Sequence, residues 1–205
     1  VTDLFTGLYA ANAIQGALLE RHQSGLGQHI DLALLDVQAA VLANQASNYL
    51  IGGTIPGRLG NAHPNIVPYQ AFATADSFII IAVGNDQQFA RFCKVINSAS
   101  LAKDDRYKTN ANRVNNRQSL CEKIQRQLEQ HDSQHWLEAF EENNVPCGPI
   151  NTIDQVFEDP QIIARHMLIN IPDNRSGALN VVGNPINYSR SDIEYVLSPQ
   201  ELGNQ

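Results

Sequence analysis

Cysteine and long apolar runs are both scarce in this 205-residue sequence, and each scarcity excludes a class of protein. The three cysteines, Cys93, Cys121 and Cys147, have no metal-ligand spacing, and an odd number cannot form a closed disulfide framework. They indicate small, buried thiols in a reducing compartment. No apolar run approaches the roughly 20 residues that cross a bilayer, and no signal-peptide pattern opens the chain.

Positive charge is also scarce, with 14 Lys and Arg against 21 Asp and Glu, a formal net charge of −7. This balance argues against non-specific binding to nucleic acid, which requires basic surface. Apolar residues make up 43%, the proportion of a folded globular protein rather than a disordered one. We therefore expect one large domain or two small ones, with no nucleic-acid or membrane partner. The absence of an initial Met suggests a piece cut from a longer protein.

The N-terminal segment predicts a helix over residues 3–22, because apolar residues recur there at helical spacing. Asp3 stands at the expected N-cap position. Gly7 and Gly16 each cost about 1 kcal/mol of helix propensity relative to Ala. These two glycines therefore suggest that another element packs close to this helix.

The next segment predicts a strand, a helix and then a boundary. Residues 28–34 alternate between polar and apolar side chains, which is typical of a strand. Asp36 is predicted to cap a second helix over 37–50. Residues 51–61, IGGTIPGRLGN, contain four Gly and one Pro without periodicity, which indicates a linker.

Beyond this linker the pattern predicts a mixed α and β region. Residues 68–74 and 78–83 are expected to form a β-hairpin around the short polar stretch 75–77. The remaining predicted elements are helices at 87–96, 113–130, 133–143, 152–157 and 160–165, a rigid turn at 145–150, and strands at 168–171 and 179–182.

Four motifs carry a resemblance to a known family. They are DLFTG at 3–7, RHQSGLGQHIDLALLD at 21–36, LGNAHPNIVPY at 59–69 and VPCGPINT at 145–152. With these motifs in this order, essentially the whole chain resembles the family III CoA-transferases, which include formyl-CoA transferase and carnitine CoA-transferase. The resemblance implies an α/β fold of two domains, with subunits that interlock as rings in a homodimer.

The resemblance also implies a domain plan. Residues 1–50 would belong to a large Rossmann-like CoA-binding domain whose first half is missing here. Residues 51–62 would be the linker, 63–165 a smaller α+β domain, and 166–205 a segment that returns toward the large domain.

The implied activity is transfer of CoA between an acyl-CoA and a carboxylic acid acceptor. The family's catalytic aspartate lies in a D-x-x-x-G setting at a helix start, and Asp3 matches it. Asp3 would form an aspartyl anhydride and then an aspartyl–CoA thioester. CoA and acyl-CoA would be substrates, with no permanently bound cofactor and no metal. The expected location is the cytoplasm, or mitochondria or peroxisomes in a eukaryote.

A second candidate site is the loop formed by Asn61, Ala62, His63 and Pro64. It matches in position a glycine-rich loop that closes over the intermediate in formyl-CoA transferase, so the resemblance implies contact with substrate. Its glycines are replaced here, which argues against a mobile flap of the same kind. His63 either binds an acyl carboxylate or holds the turn.

Other polar residues are predicted to be structural. Asp31 is assigned to the polar face of the predicted strand, Tyr69 to the core and Cys147 to a rigid turn. Residues 84–87 are explained as a helix cap.

Two alternatives stay open. The α-methylacyl-CoA racemases share the fold and the aspartate, and they use a His/Asp pair to move a proton. In that group a Glu-Pro follows the hairpin, where this chain has Asn85, Asp86, Gln87 and Gln88, which favours the transferase. The other alternative is a non-catalytic paralogue or assembly module.

Overall fold

The computed structural model describes residues 1–173, 177–195 and 198. The chain divides into two compact units, Val1–Pro64 and a second that begins at Asn65. Helices and strands are both present, as the predicted α/β class requires. In the described part of the chain, no helix combines the length and the apolar character needed to span a membrane.

The first unit contains three helices: α1 at Thr2–Ser24, α2 at Leu34–Ala40 and α3 at Asn44–Leu50. α1 begins one residue before the predicted helix and ends two residues after it. It ends at Gly25, whose φ of 76° is left-handed and whose N–H donates to the Arg21 carbonyl at 2.8 Å. Glycine adopts this conformation without steric cost, which explains the sharp end of the helix.

The predicted strand at 28–34 is wrong. Residues 26–33 have irregular backbone, and α2 begins at Leu34. A strand needs a neighbouring strand to receive its ladder of hydrogen bonds, and residues 1–64, all of which the structure describes, contain none. Asp31 is therefore an exposed residue of irregular chain rather than part of a strand face.

The predicted helix at 37–50 is also wrong in its start and in its continuity. Ala33 is the N-cap of α2, and Asp36 lies in the first turn without acting as the cap. A turn at 41–43 separates α2 from α3, and Ala43 has a φ of 50°. This left-handed backbone cannot continue a right-handed helix.

The second unit is built on a three-stranded antiparallel sheet in the order β1-β2-β3. Its strands are β1 at Tyr69–Ala73, β2 at Phe78–Ala82 and β3 at Cys147–Pro149. The predicted hairpin is confirmed, and the Thr74 N–H donates to the Ser77 carbonyl at 2.9 Å across its turn. The rigid turn expected at 145–150 is wrong, because its centre pairs with β2 as an edge strand.

Six helices of the second unit follow the predicted pattern closely, except that the helix expected at 113–130 is interrupted at Asn116. Asn85 caps the first of them by accepting from the Gln88 N–H at 2.9 Å, as the sequence predicts. The helices are α4 at Asp86–Val95, α5 at Asn110–Asn115, α6 at Arg117–Leu128, α7 at Ser133–Glu142, α8 at Ile153–Glu158 and α9 at Pro160–Ala164, with a short 3₁₀ turn at Leu101–Lys103 between α4 and α5.

The core of the second unit lies between its sheet and helices α4, α6 and α7. Phe92 and Phe140 stack there with ring centroids 5.4 Å apart. Burying such a side chain contributes about 1.5–3 kcal/mol, so this core accounts for the stability of the unit. Its largest fully buried apolar members are Phe72, Ile79, Ile81, Phe89, Phe92, Ile96, Tyr107, Leu120, Ile124, Leu128 and Phe140.

A separate hairpin follows α9. Its strands are β4 at Leu168–Asp173 and β5 at Gly177–Val182, which pair antiparallel and confirm the two predicted strands. Gly183 follows β5 directly, and its N–H donates to the Met167 carbonyl at 2.8 Å.

Candidate functional site

Asp3 lies in the first turn of α1 and is exposed. The predicted N-cap role is wrong, because Val1 is the N-cap residue and makes no side-chain capping bond. The first turn of a helix has free N–H groups and carries the positive end of the helix dipole. The Asp3 side chain therefore stands beside groups that attract negative charge.

The start of α1 is held by local contacts. The Phe5 N–H donates to the Val1 carbonyl at 3.1 Å, and the Thr6 hydroxyl donates to the Thr2 carbonyl at 2.9 Å. The Thr2 hydroxyl also donates to the side-chain oxygen of Gln38 in α2. Asp3 therefore stands on a helix start that α2 helps to fix.

The rest of α1 is apolar but uncovered. None of its residues is buried, and Leu4 and Leu8 are 75% and 67% exposed. A Cβ added at Gly7 or Gly16 would meet no atom within 4 Å, so the close neighbour predicted from these glycines is not among the described residues. A helix that is apolar on most of its circumference is typical of a buried element.

The loop of residues 61–64 closes the first unit. The preceding residues 51–60 are exposed and, from 53 to 59, irregular. Gly60 has a left-handed φ of 61°, and the Ala62 N–H donates to the Leu59 carbonyl at 3.1 Å. Asn61 is exposed, whereas the other three loop residues are half-buried. Asp3 and this loop thus lie on different elements of the same unit.

The segment 65–67, which follows the loop, is bound by the side chains of Asn110 and Arg113. The sequence did not predict this role for either residue. The Asn110 side chain accepts from the Val67 N–H at 3.2 Å and donates to the Asn65 carbonyl at 2.8 Å. Arg113 Nε donates to the Val67 carbonyl at 2.6 Å. The run NANR gives no signal of this role, because the bonds join residues more than forty positions apart.

Arg113 is fully buried, and its charge is compensated. Its Nη2 lies 2.8 Å from the Asp86 carboxylate, and its guanidinium lies 4.4 Å from the centre of the Phe89 ring. Nη1 donates to the Tyr107 carbonyl at 3.0 Å. A buried guanidinium with several fixed partners is a rigid anchor, because releasing it would leave a charge unpaired.

The three cysteines do not provide a nucleophile. Burial raises the pKa of Cys93 to about 12 and that of Cys121 to about 11. Burial also raises the pKa of Cys147, and the nearby Glu141 carboxylate raises it further. Since the thiolate is the reactive form, all three thiols are unreactive near neutral pH. This result agrees with their predicted structural role.

A groove lies wholly within the second unit, beside Cys147. It has a volume of about 1040 Å³ and is lined by α7, β3 and the start of α9. Glu138, Glu141 and Asp159 give it negative charge, so it repels phosphate groups. Within the described residues, no group of three or more His, Cys, Asp or Glu side chains is arranged to hold a metal ion.

Comparison with known proteins decides the family. A sequence model of CoA-transferase family III matches residues 1–205. The chain belongs to CoA-transferase family III. The resemblance carried by the four motifs is thereby confirmed.

The family III relatives are similar over nearly all of this chain. A succinate–glutarate CoA-transferase of Agrobacterium fabrum is 46% identical over 203 residues, which are 99% of this chain and 51% of that protein. The human succinyl-CoA:glutarate CoA-transferase is 40% identical, covering 99% of this chain and 46% of that protein. A crystal structure of a CAIB/BAIF family protein from Brucella suis is 45% identical with a TM-score of 0.76, covering 94% of this chain and 50% of that one.

The chain therefore spans about half the length of the family III relatives it matches. The mixed α/β fold is confirmed by the structural match. The assignment of residues 1–50 to a Rossmann-like CoA-binding domain, and the interlocked dimer, stay predictions.

Proposed function

We propose that the protein containing this chain transfers CoA from an acyl-CoA to a carboxylic acid. The observation that carries this proposal is the family match over residues 1–205, together with relatives of 46% and 40% identity that are named CoA-transferases. The same names favour the transferase over the racemase alternative. A non-catalytic paralogue would show no turnover with any acyl-CoA.

Asp3 is the proposed nucleophile, in a sequence of balanced acyl transfers. Its carboxylate oxygen attacks the thioester carbonyl, the C–S bond breaks, and CoA leaves as the thiolate, giving a mixed anhydride. The thiolate then attacks the aspartyl carbonyl and releases the donor acid. The acceptor carboxylate attacks the resulting aspartyl–CoA thioester, which forms a second anhydride and again releases CoA thiolate. This thiolate attacks the acyl carbonyl of the acceptor, which gives the new acyl-CoA and regenerates the Asp3 carboxylate.

The position of Asp3 in the first turn of α1 supports this role. The positive end of the helix dipole attracts negative charge that develops beside it during the reaction. N–H groups that the helix leaves unpaired can also stabilise an oxyanion that develops beside them. An anhydride is as activated as a thioester, so a carboxylate nucleophile retains the free energy of the thioester bond.

We further propose succinyl-CoA and glutarate as substrates. The basis is the names of the Agrobacterium and human relatives. Both acids carry a second carboxylate that does not react. The loop of residues 61–64 is the proposed contact for that group, with His63 as a hydrogen-bond donor.

The experiment measures turnover of succinyl-CoA and glutarate by the full-length protein and its Asp3→Ala variant. We expect Asp3→Ala to fold normally and to lose several orders of magnitude in kcat, because the covalent carrier is missing. Asp3→Asn should be almost as inactive, since an amide is a poor nucleophile. Asp31→Ala, at an exposed aspartate of the same unit, is the matched control and should retain activity. Near-normal turnover by a folded Asp3→Ala enzyme would falsify the nucleophile assignment.

A further inference from the structure

We propose that Asn110 and Arg113 of α5 are positioning residues for the loop of residues 61–64. They act through the segment 65–67, which follows the loop directly. The inference rests on the proposed substrate-binding function of that loop. Neither side chain is assigned a contact with substrate.

Asn110 makes the first half of this grip. Its side-chain amide binds two backbone groups at once, accepting from the Val67 N–H at 3.2 Å and donating to the Asn65 carbonyl at 2.8 Å. Both the oxygen and the nitrogen of one planar group are used. The Asn110 side chain therefore bridges the two ends of the segment 65–67.

Arg113 makes the second half. Its Nε donates to the Val67 carbonyl at 2.6 Å, so both backbone polar groups of Val67 are bound to α5. The guanidinium is fully buried and is also held by Asp86 and Tyr107. Val67 is consequently held at both of its backbone polar groups by side chains of α5.

Covalent geometry carries this restraint from Val67 back into the loop. The ring of Pro64 fixes its own φ near −65°. Steric conflict with that ring also restricts His63 to extended conformations. The dihedral angles of residues 65 and 66 still separate Val67 from Pro64, and the Asn110 bond to the Asn65 carbonyl restrains them. The orientation of His63 therefore depends on how firmly residues 65–67 are held.

A substrate contact needs such support, because a misplacement of about 1 Å can cost about 100-fold in rate. The Asn110 grip can be removed without removing Arg113. Asn110→Ala loses both amide bonds, whereas Asn110→Asp keeps an acceptor for the Val67 N–H and loses the donor to Asn65.

Asn112 is the matched control on the same helix. It is half-buried like Asn110, and its side-chain nitrogen donates to the Asp105 carbonyl at 2.6 Å. Asn112→Ala therefore removes a bond from α5 to a different segment. If Asn110 were only structural, Asn110→Ala and Asn112→Ala variants of equal thermal stability would have similar amide exchange and similar KM.

The test uses the full-length protein and two readouts. The first is amide hydrogen exchange, which we expect Asn110→Ala to accelerate at residues 61–67 well beyond Asn112→Ala. The second is the KM for glutarate, expected to rise about five- to tenfold in Asn110→Ala, the effect of about 1 kcal/mol. Asn110→Asp should be impaired at least as much as Asn110→Ala, because it sets a carboxylate oxygen against the Asn65 carbonyl. In both variants kcat should change less than KM.

Equal exchange at residues 61–67 in the two alanine variants would overturn the positioning role, whatever the activity. An unchanged glutarate KM in Asn110→Ala would overturn it as well. The Asp3→Ala assay reports separately on the proposed transferase chemistry, because Asn110 and Asp3 belong to different units. Failure of one proposal is thereby distinguished from failure of the other.

Discussion

At the scale of single residues, side chains in the second unit bind backbone groups that its small sheet leaves free. The Gln125 side chain accepts from the Ala73 N–H at 3.1 Å and donates to the Ala73 carbonyl at 2.9 Å. This pair of bonds covers one end of the outer edge of β1, beside which the described residues place no further strand. An edge satisfied in this way is less available for pairing with another chain.

The Asp76 side chain joins the turn between β1 and β2 to the start of α7. Its carboxylate accepts from the Thr74 hydroxyl at 2.8 Å, and from the N–H and hydroxyl of Ser133 at 2.7 and 3.0 Å. The Thr74 hydroxyl and the Ser133 N–H, in that order, are the main causes that hold the pKa of Asp76 below its usual value. The turn is thereby tied to the start of α7.

This ionisation predicts a pH dependence of stability. Because the folded pKa of Asp76 is lowered, its stabilising contribution is present above the unfolded value of about 3.9 and is lost as the pH falls through the folded pKa. We expect Asp76→Asn to lower the free energy of unfolding at pH 6. The difference from the wild type should shrink as the pH is lowered toward 3, measured by urea denaturation.

Asp105→Asn is the control for this series, because Asp105 is exposed and contributes only its backbone carbonyl to a bond with Asn112. Its free energy of unfolding should stay within about 0.5 kcal/mol of the wild type at pH 6. A constant difference between Asp76→Asn and the wild type from pH 6 to pH 3 would contradict the assigned role of the carboxylate.

At the scale of elements, the sequence was sufficient where a pattern is local. The hairpin β1–β2 and helices α4 and α7 were predicted, because alternation, amphipathic spacing and caps such as Asn85 lie within a few residues of each other. The edge strand β3 was not predicted. Its pairing partner lies 66 to 70 residues earlier in the chain, and a two-proline segment resembles a turn.

The candidate site shows the same division between local and long-range information. Asp3 and the loop of residues 61–64 were found through family motifs. Asn110 and Arg113 were not found, because their partners Asn65 and Val67 are joined to them only by the fold. The strand predicted at 28–34 failed because a local alternating pattern is not sufficient for a strand. The first unit offers no partner strand to pair with it.

The end of the β4–β5 hairpin yields a prediction for two glycines. A Cβ at Gly183 would lie 2.7 Å from the His166 carbonyl oxygen, whereas a Cβ at Gly148 would lie 3.6 Å from an Ile80 methyl group, an ordinary contact. We expect Gly183→Ala to lower the free energy of unfolding by about 1–3 kcal/mol. Gly148→Ala should change it by less than about 0.5 kcal/mol. Urea denaturation of the two variants tests the pair, and equal effects would contradict the close approach at Gly183.

At the scale of the whole molecule, the first unit exposes the apolar residues of α1. α1 has no buried residue, and Leu4, Leu8 and Leu19 are exposed. Exposed apolar surface of this extent promotes association. Because residues 1–205 span about half the length of the relatives, we expect this piece alone to bind CoA poorly and to show no turnover.

The predicted interlocked dimer is tested on the full-length protein. A linker of about ten residues can span roughly 30 Å when extended, enough to separate two domains around a partner chain. Residues 51–61 are exposed, as that arrangement requires. Sedimentation equilibrium should show a dimer at micromolar concentration. A species that remains monomeric there would contradict the predicted assembly.

The central claim is that Asp3 carries the transferred group, and one measurement tests it most directly. The full-length protein is incubated with succinyl-CoA, quenched with hydroxylamine and digested for mass spectrometry. Hydroxylamine attacks an aspartyl thioester or anhydride to give a hydroxamate. We predict a hydroxamate on Asp3 in the wild type and in Asp31→Ala, and none at any residue in Asp3→Ala. An active enzyme with an unmodified Asp3, or with the hydroxamate on another residue, would contradict it.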